Sequence, residues 1–361
     1  MLSYREQVRN GHSSISGEKG LEKLKSNKKR SLNGSSSVNM SEKTTAEWPL
    51  VYTVIVNYRS PDDTRTCLDS LRQLDYPNHE VVLVNNDDDF EAAAELQQEF
   101  PECTVITTGE NLGFSSGYNV GIKRALTNGA EYVSILNYDV VLREDFLRSG
   151  VQTFRKHENV GMVGGKIYKH AGEGADEIWS IGGRISWLRG KGIARGFGEP
   201  DEGQYDEIRD IDFIPGSQML VRRAVFETVG LLPEVYFLGG EEWDYCHQVR
   251  SSGYRILYDP EMIMWHDATH TSEQSYSRYY NYYRNKLLFT RRAYSKLGWL
   301  LWMILFLGYC HSGLWIKHRE GRPAMVYRAS MHALKHSIVD NRTEITRSEY
   351  EAGVKRNSAY E

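Results

Sequence analysis

Tyr132-Val133-Ser134-Ile135-Leu136-Asn137-Tyr138-Asp139-Val140-Val141-Leu142 is the stretch on which the reading of this chain turns. Its first half, Val133 to Leu136, is a short apolar run with β-branched residues, the pattern of a strand buried on both faces. Burial is expected to stop at Asn137 and Asp139, two oxygen-bearing side chains one residue apart. In open parallel sheets, ligands sit outside the carboxyl ends of the strands. A carboxylate just past a central strand is placed to hold a hard cation against a phosphate. An Asx turn closing the strand accounts for the same residues, and this stretch by itself leaves both readings open.

Upstream, the punctuation is regular. Val54-Ile55-Val56 reads as a buried strand ending in Asn57-Tyr58, and Ser60-Pro61-Asp62-Asp63 as a helix start with Ser at the N-cap and Pro at the first position. That helix carries Cys67, Leu68, Leu71 and Leu74 on one face. Val81 to Val84 is a second strand, ending in Asn85-Asn86-Asp87-Asp88-Asp89; a helix over Phe90 to Glu99 and a third strand, Thr104 to Thr107, follow. Glu110 to Gly121 then leads into a helix with Ile122, Ala125 and Leu126 inward. With Val133 to Leu136 this makes a βαβαβαβ series, hence a parallel sheet wound on both sides.

Downstream, a helix is expected around Phe146 to Phe154. Residues 161–203 hold many glycines and read as loops and short antiparallel strands. Asp212 to Arg223 returns to strand, and Glu241 begins a helix that stops at Gly253. Strands Arg255 to Tyr258 and Met262 to Trp265, an aromatic helix from Tyr276 to Tyr294, and an apolar run from Trp299 to Ile316 complete the pattern.

The chain has 361 residues and a net charge of −4, enough for a full core and the wrong sign for a general nucleic-acid binder. Four scattered cysteines, Cys67, Cys103, Cys246 and Cys310, form no CxxC pair and fit a reducing compartment. No N-terminal apolar core of a signal peptide is seen. Residues 1–47, rich in Ser, Asn, Gly and Lys with a basic run Lys28-Lys29-Arg30, read as a disordered tail.

A dinucleotide fold needs Gly-x-Gly-x-x-Gly directly after the first strand; Asn57-Tyr58-Arg59-Ser60-Pro61 stands there, so a dehydrogenase is set aside. The Gly113, Gly117 and Gly121 spacing serves helix packing or a phosphate cradle. Gly239-Gly240-Glu241-Glu242-Trp243-Asp244 puts acids in the first turn of a helix, where the dipole favours their charged form. They are either caps or a general base. His266, after the strand Met262 to Trp265, is either structural or a ligand for a divalent metal, and His270 reads as an exposed loop residue.

Taken in order, these stretches resemble the family 2 glycosyltransferases of the GT-A fold, particularly the rhamnosyltransferase-like branch that extends lipid-linked glycans. The matching pieces are Val54-Ile55-Val56-Asn57-Tyr58, Glu110-Asn111-x-Gly113-Phe114-x-x-Gly117-x-Asn119-x-Gly121, Leu136-Asn137-x-Asp139, Gly239-x-Glu241-Glu242-x-Asp244, His266 and Tyr282-Tyr283-Arg284-Asn285.

The resemblance implies an α/β GT-A fold, Rossmann-like with a mostly parallel central sheet and helices on both faces, over residues 48–275. It implies an inverting transfer from a nucleoside-diphosphate sugar, dTDP-rhamnose-like or a UDP-sugar, to a lipid-linked or other glycan acceptor. Asn57, Tyr58, Asn85, Asn111, Gly113, Asn137, Tyr138 and Gly216 would line the donor site. Asp139 and His266 would hold Mg²⁺ or Mn²⁺, with the metal carrying the diphosphate's leaving charge. Glu242 would be the base, with Glu241 its rival, and Asp244, Arg284 and Asn285 would face the acceptor. Asn85 stands where the family usually has Asp, and Glu242 where Asp is commoner. The alternatives are a processive polysaccharide synthase, which would want several long apolar spans, and a nucleotide-sugar binding module without catalysis.

The run Gly298 to Ile316 is interrupted by Gly308, His311, Ser312 and Gly313 and flanked at both ends by basic residues, while Trp299, Trp302, Tyr309 and Trp315 suit an interface. It reads as a helix lying in or dipping into the membrane, within a C-terminal helical region at 276–340 that a polar tail, 341–361, follows. The expected location is the cytoplasmic face of the cell membrane, peripheral or monotopic.

Overall fold

A computed structural model of the chain describes residues 48–169, 177–267 and 276–309, together with Met331 and Leu334. The expectations for the tail at 1–47, for His270, Cys310 and residues 310–316, and for the tail at 341–361 fall outside the described residues.

The first half follows the expected alternation. Strands β1 (Val51–Asn57), β2 (His79–Asn85), β3 (Thr104–Thr107) and β4 (Tyr132–Asn137) are joined by helices α1 (Pro61–Leu71), α2 (Phe90–Glu99) and α3 (Phe114–Thr127). The strands run parallel in the order β3-β2-β1-β4. Alternation of side chains makes a core on each face. Val54, Val56, Val82 and Val84 meet Ile122 and Ala125 of α3 on one side. Val51, Ile55 and Leu83 meet Cys67, Leu68 and Leu71 of α1 and Leu96 of α2 on the other. Gly121 lets α3 approach the sheet: a Cβ there would lie 2.3 Å from Val54 Cγ1. Gly117 and Gly121 are thus packing residues.

After β4 come β5 (Val140–Leu142), α4 (Phe146–Lys156), β6 (Val160–Lys169), β7 (Ile178–Ser180), β8 (Gly183–Ser186), β9 (Lys191–Ala194), β10 (Arg209–Asp210), β11 (Gln218–Arg222), α5 (Arg223–Thr228), α6 (Glu241–Ser251) and β12 (Arg255–His266). β8 and β9 pair with each other as a separate two-stranded sheet, and the other strands extend the main sheet to ten, β10-β12-β6-β11-β4-β1-β2-β3, with β5 on β12 and β7 on β6. β11 is antiparallel to β4 and β6, whereas β12 is parallel to β6. Because β11 is antiparallel to both of its neighbours, β6 and β12 point the same way as β1 to β4, so the sheet is mostly parallel, with β11 and the short β5, β7 and β10 opposing it.

Two expectations need correction. The glycine-rich start of 161–203 is a ten-residue strand, β6, in the middle of the sheet. Its glycines mark close approach, since a Cβ on Gly165 would lie 1.8 Å from the Met262 carbonyl oxygen. The two expected strands at 255–258 and 262–265 are one strand, β12, with an irregularity between Asp259 and Ile263. Pro260 falls in that interruption, where its missing N–H breaks no ladder bond.

The C-terminal elements are α7 (Tyr276–Ala293) and α8 (Lys296–Tyr309). α7 is built into the main body: Phe289 is fully buried in the core that holds α3 and α6. α8 is 14 residues long, about 21 Å. No described helix is long and apolar enough to cross a membrane.

Candidate active site

The carboxyl ends of the parallel strands come level: Asn57 lies opposite Asn85, Asn85 opposite Thr107, and Val56 opposite Asn137. Two residues past Asn137, the turn into β5 brings Asp139 against the end of β12, where His266 pairs with Val140. Asp139 Oδ1 is 3.2 Å from His266 Nε2, and the Asp267 N–H donates to the Asp139 carbonyl at 2.9 Å. Asn137 Nδ2 lies 3.4 Å from the same His266 nitrogen, and the Tyr118 hydroxyl of α3 donates to the Leu136 carbonyl beneath them at 2.7 Å. Trp179 stands edge-on to the His266 ring. His266 Nδ1 is buried without a hydrogen-bond partner.

This pair fits a divalent cation. Two cis ligands at about 2.1 Å from an octahedral ion lie about 3 Å apart, close to the separation found; the carboxylate oxygen suits Mn²⁺ or Mg²⁺, and the imidazole nitrogen favours Mn²⁺ of the two. Among the described residues, no group of three or more His, Cys, Asp or Glu side chains is arranged to hold a metal. The remaining ligands would come from substrate oxygens or water, as is usual where a cation is shared with a diphosphate.

Asn57 and Asn85 are buried, joined by one amide hydrogen bond and otherwise spent on the loops beside them. Asn57 Nδ2 donates to Asn85 Oδ1 at 2.7 Å, and Asn85 Nδ2 donates to Asp87 Oδ1 at 2.8 Å. Asn57 Oδ1 accepts from the Ser60 N–H and the Thr64 hydroxyl. Neither amide faces open space; the pair fixes the loops that do. Tyr58 is 38 % exposed at the mouth of the first loop, and Tyr138 is half-buried against Ser60. Asn111 caps its own turn, accepting from the Gly113 N–H at 2.8 Å. Asn86, which the sequence reading passed over, ties this turn to β2. It donates to the Gly113 carbonyl at 3.1 Å and accepts from the Leu112 N–H at 3.0 Å. Its only signal was a place beside Asn85.

The 113–114 turn leads directly to the acid pair. The Phe114 N–H donates to the Phe237 carbonyl at 2.7 Å, and Gly216 seats against the Phe114 ring. Next to Gly216, the Ser217 carbonyl accepts from the Asn137 N–H at 3.1 Å. From Phe237 the chain turns through Gly239 and Gly240, with φ of +83° and +91°, into α6. There the Gly240 N–H donates to Glu242 Oε2 at 2.9 Å. Glu241 is buried, with Oε2 unpartnered. Burial, then the neighbouring Glu242, pushes its carboxyl well above the usual range. Glu242 is half-buried, and burial raises its carboxyl to about 7. Two adjacent acids thus acquire different protonation at neutral pH, one held neutral and one able to accept a proton.

The three residues expected on the acceptor side sit elsewhere. Asp244 is 1 % exposed and is held by Arg292 of α7, by the Tyr236 hydroxyl at 3.0 Å and by Gln248 Nε2 at 3.0 Å. Arg284 and Asn285 are buried too, beneath the loop that precedes Glu241. Arg292 was not foreseen, because nothing in the order of residues announces that α7 returns to α6.

Solved structures place this architecture among GT-A-like folds. The structure of GalNAc-T7 with UDP, GalNAc and Mn²⁺ is similar at a TM-score of 0.55 and 12 % identity, over 85 % of this chain and 60 % of that one. TarS 1–349 of S. aureus in complex with UDP-GlcNAc is similar at 0.52 and 13 % identity, over 79 % and 81 %. Residues 49–281 match the family described as "Glycosyltransferase like family 2". The chain belongs to that family and is a glycosyltransferase. It is 26 % identical to the low-salt glycan biosynthesis hexosyltransferase Agl10 of Haloferax volcanii over 253 residues, covering 67 % of this chain and 76 % of that protein. It is 24 % identical to the dTDP-rhamnosyl transferase RfbF of Shigella flexneri, over 60 % and 68 % of the two chains. To the rhamnosyltransferase WbbL of Escherichia coli K12 it is 22 % identical, over 65 % and 89 %.

Proposed function

We propose that this glycosyltransferase moves one sugar, with inversion, from a nucleoside-diphosphate sugar to a hydroxyl of a lipid-linked glycan at a membrane surface. The observation that carries the reading is the Asp139–His266 pair, 3.2 Å apart at the carboxyl edge of β4. Mg²⁺ or Mn²⁺ held there would stabilise the negative charge that builds on the leaving diphosphate. Asn137 and Tyr118 hold the strand end on which that pair depends, and the 111–114 turn, fixed by Asn86 and Phe237, would line the donor site. Glu242 accepts the proton of the acceptor hydroxyl. The oxygen then forms its bond to the anomeric carbon from the face opposite the diphosphate, as the bond from that carbon to the diphosphate oxygen breaks and the nucleoside diphosphate leaves with the electron pair. Glu241, kept neutral by burial, adds no second charge beside the base.

The membrane part of the reading rests on α8. One face, with Trp302, Met303 and Phe306, is buried against Tyr283 and Leu287 of α7. The opposite face presents Leu297, Leu300, Leu301, Ile304 and Leu305, each more than half exposed. A contiguous apolar stripe of this kind needs a cover. Lys296 is exposed at its start, which suits an anionic lipid surface. The cytoplasmic face is supported by Cys67, Cys103 and Cys246, all free and buried.

The test is a screen of dTDP-, UDP- and GDP-sugars with Mn²⁺ or Mg²⁺, reading melting temperature and release of nucleoside diphosphate with and without a lipid-linked saccharide. One donor should raise the melting temperature and turn over only with metal. A chain that binds no nucleotide sugar, or turns one over equally well in EDTA, removes the reading.

A further inference from the structure

The turn that delivers the acid pair is not held by its own residues. Gly239 and Gly240 take successive left-handed conformations, with φ of +83° and +91°, and two adjacent glycines have the widest choice of alternatives in any chain. The restraint comes from α7. Asn285, 2 % exposed, donates from Nδ2 to the Leu238 carbonyl at 2.8 Å and also to the Gly239 carbonyl. Its Oδ1 accepts from Arg284 Nη1 at 3.0 Å, and Arg284 Nη2 donates to the Val235 carbonyl at 3.0 Å. Three carbonyls between Val235 and Gly239 are therefore gripped by two consecutive residues of one helix. The turn is seated directly on Asn285, since a Cβ on Gly240 would come within 3.1 Å of the Asn285 Cβ. On the other side of the turn, the Gly240 N–H holds Glu242 Oε2 at 2.9 Å. Carbonyls point down to α7 and an N–H points up to the carboxylate, so rotating one peptide disturbs both.

We infer that Asn285 is a positioning residue, which sets the Gly239–Gly240 turn and through it the carboxylate of Glu242. The inference rests on Glu242 being the base proposed above. Asn285 touches neither donor nor acceptor in this account; it acts through the backbone. Replacing it leaves the other attachments of α7 in place, namely Phe289 in the core and the Arg292–Asp244 ion pair.

Two variants of the full chain test this. Asn285→Asp puts oxygens against the two carbonyls, and Asn285→Ala removes the donors together with the acceptor for Arg284. In both, amide hydrogen exchange over residues 235–242 should quicken by about tenfold or more, while β4 and the rest of α6 keep their protection. kcat should fall about 10- to 100-fold, the scale of a displaced catalytic group, with KM and Kd for the donor within about twofold of the wild type. Unchanged exchange in the turn overturns the inference, whatever donor the enzyme uses. So does an unchanged kcat, or a donor KM that rises in step with the loss of kcat. If exchange quickens while Glu242→Gln keeps full turnover, the base assignment is what fails, and Asn285 holds the turn for some other group.

Discussion

Asp139 and His266, 127 residues apart in the chain, meet with their side-chain Oδ1 and Nε2 atoms at 3.2 Å. The meeting depends on β5 pairing with the last three residues of β12, which turns the loop after β4 back on the strand that carries the histidine.

Asp139→Ala should lower transfer by at least about a hundredfold, the scale on which metal sites respond to lost ligands and their partners. The melting temperature should stay within a few degrees, because the contact to Asp267 is made by the Asp139 backbone carbonyl. Mn²⁺ binding in the presence of nucleoside diphosphate, followed by electron paramagnetic resonance, checks the cause directly. A variant that binds Mn²⁺ as tightly as the wild type moves the metal elsewhere.

The base prediction carries a pH signature. Burial lifts the Glu242 carboxyl to about 7, and only its ionised form can take a proton. kcat should rise through an acid limb with an apparent pKa near that value and level off above it. Glu242→Gln should lose the limb and roughly 10² to 10⁴ in turnover. Glu241→Gln should keep the limb with a smaller loss; if it is the variant that loses the limb, the two roles are exchanged.

Glu241 should show itself in stability. Its carboxyl is raised in the fold by burial and by Glu242, whereas in the unfolded chain it titrates at about 4.3. The folded state therefore holds a proton that the unfolded state releases. This contribution is fully present below that pH and is lost as pH climbs towards the folded value. Melting temperatures of the wild type should fall between pH 5 and pH 8, and Glu241→Gln should flatten the fall. An identical slope in both proteins shows that the carboxyl is not kept neutral.

For α8, Leu301→Glu together with Ile304→Glu should leave the fold and turnover on a soluble acceptor intact, since both side chains are more than half exposed. Co-sedimentation with vesicles containing anionic lipid should drop to that of vesicle-free controls. Unchanged sedimentation places the membrane contact outside this stripe.

How much of this was legible varies by element. β1 to β4 and α1 to α3 could be read because local signals agree there: apolar runs bounded by Asn and Asp, Pro at the first turn of α1, and helices of ordinary length. β6 was lost because Gly161, Gly164 and Gly165 look like loop composition, while in the fold they are where Tyr254, Ile214 and Met262 in turn press against the strand. β12 looked like two strands because Pro260 interrupts the pattern without interrupting the direction. At the site, Asp139, His266 and the two acids announced themselves by chemistry at strand ends and a helix start. Asn57 and Asn85 gave the same signal, yet their partners are each other and the neighbouring loops. Arg284, Asn285 and Asp244 had to be misplaced, because their partners are backbone carbonyls and α7 side chains far off in sequence. Residue type shows that a polar group needs a partner and says nothing of which one.

The integration of α7 bears on how this protein could be taken apart or recombined. A chain cut before residue 276 would keep every side chain named at the metal pair and in the acid pair. It would still leave the buried Asp244 carboxylate without Arg292, its charged partner, and with only Tyr236 and Gln248 to hold it. It would also bare the pocket that Phe289 fills. Exchanging the C-terminal helices for those of a relative, as a way to redirect the enzyme to another surface or acceptor, would succeed only when the graft keeps Arg284, Asn285, Phe289 and Arg292 in their helical phase. The natural seam for such a graft lies between Ala293 and Lys296, beyond the last of these anchors and before α8.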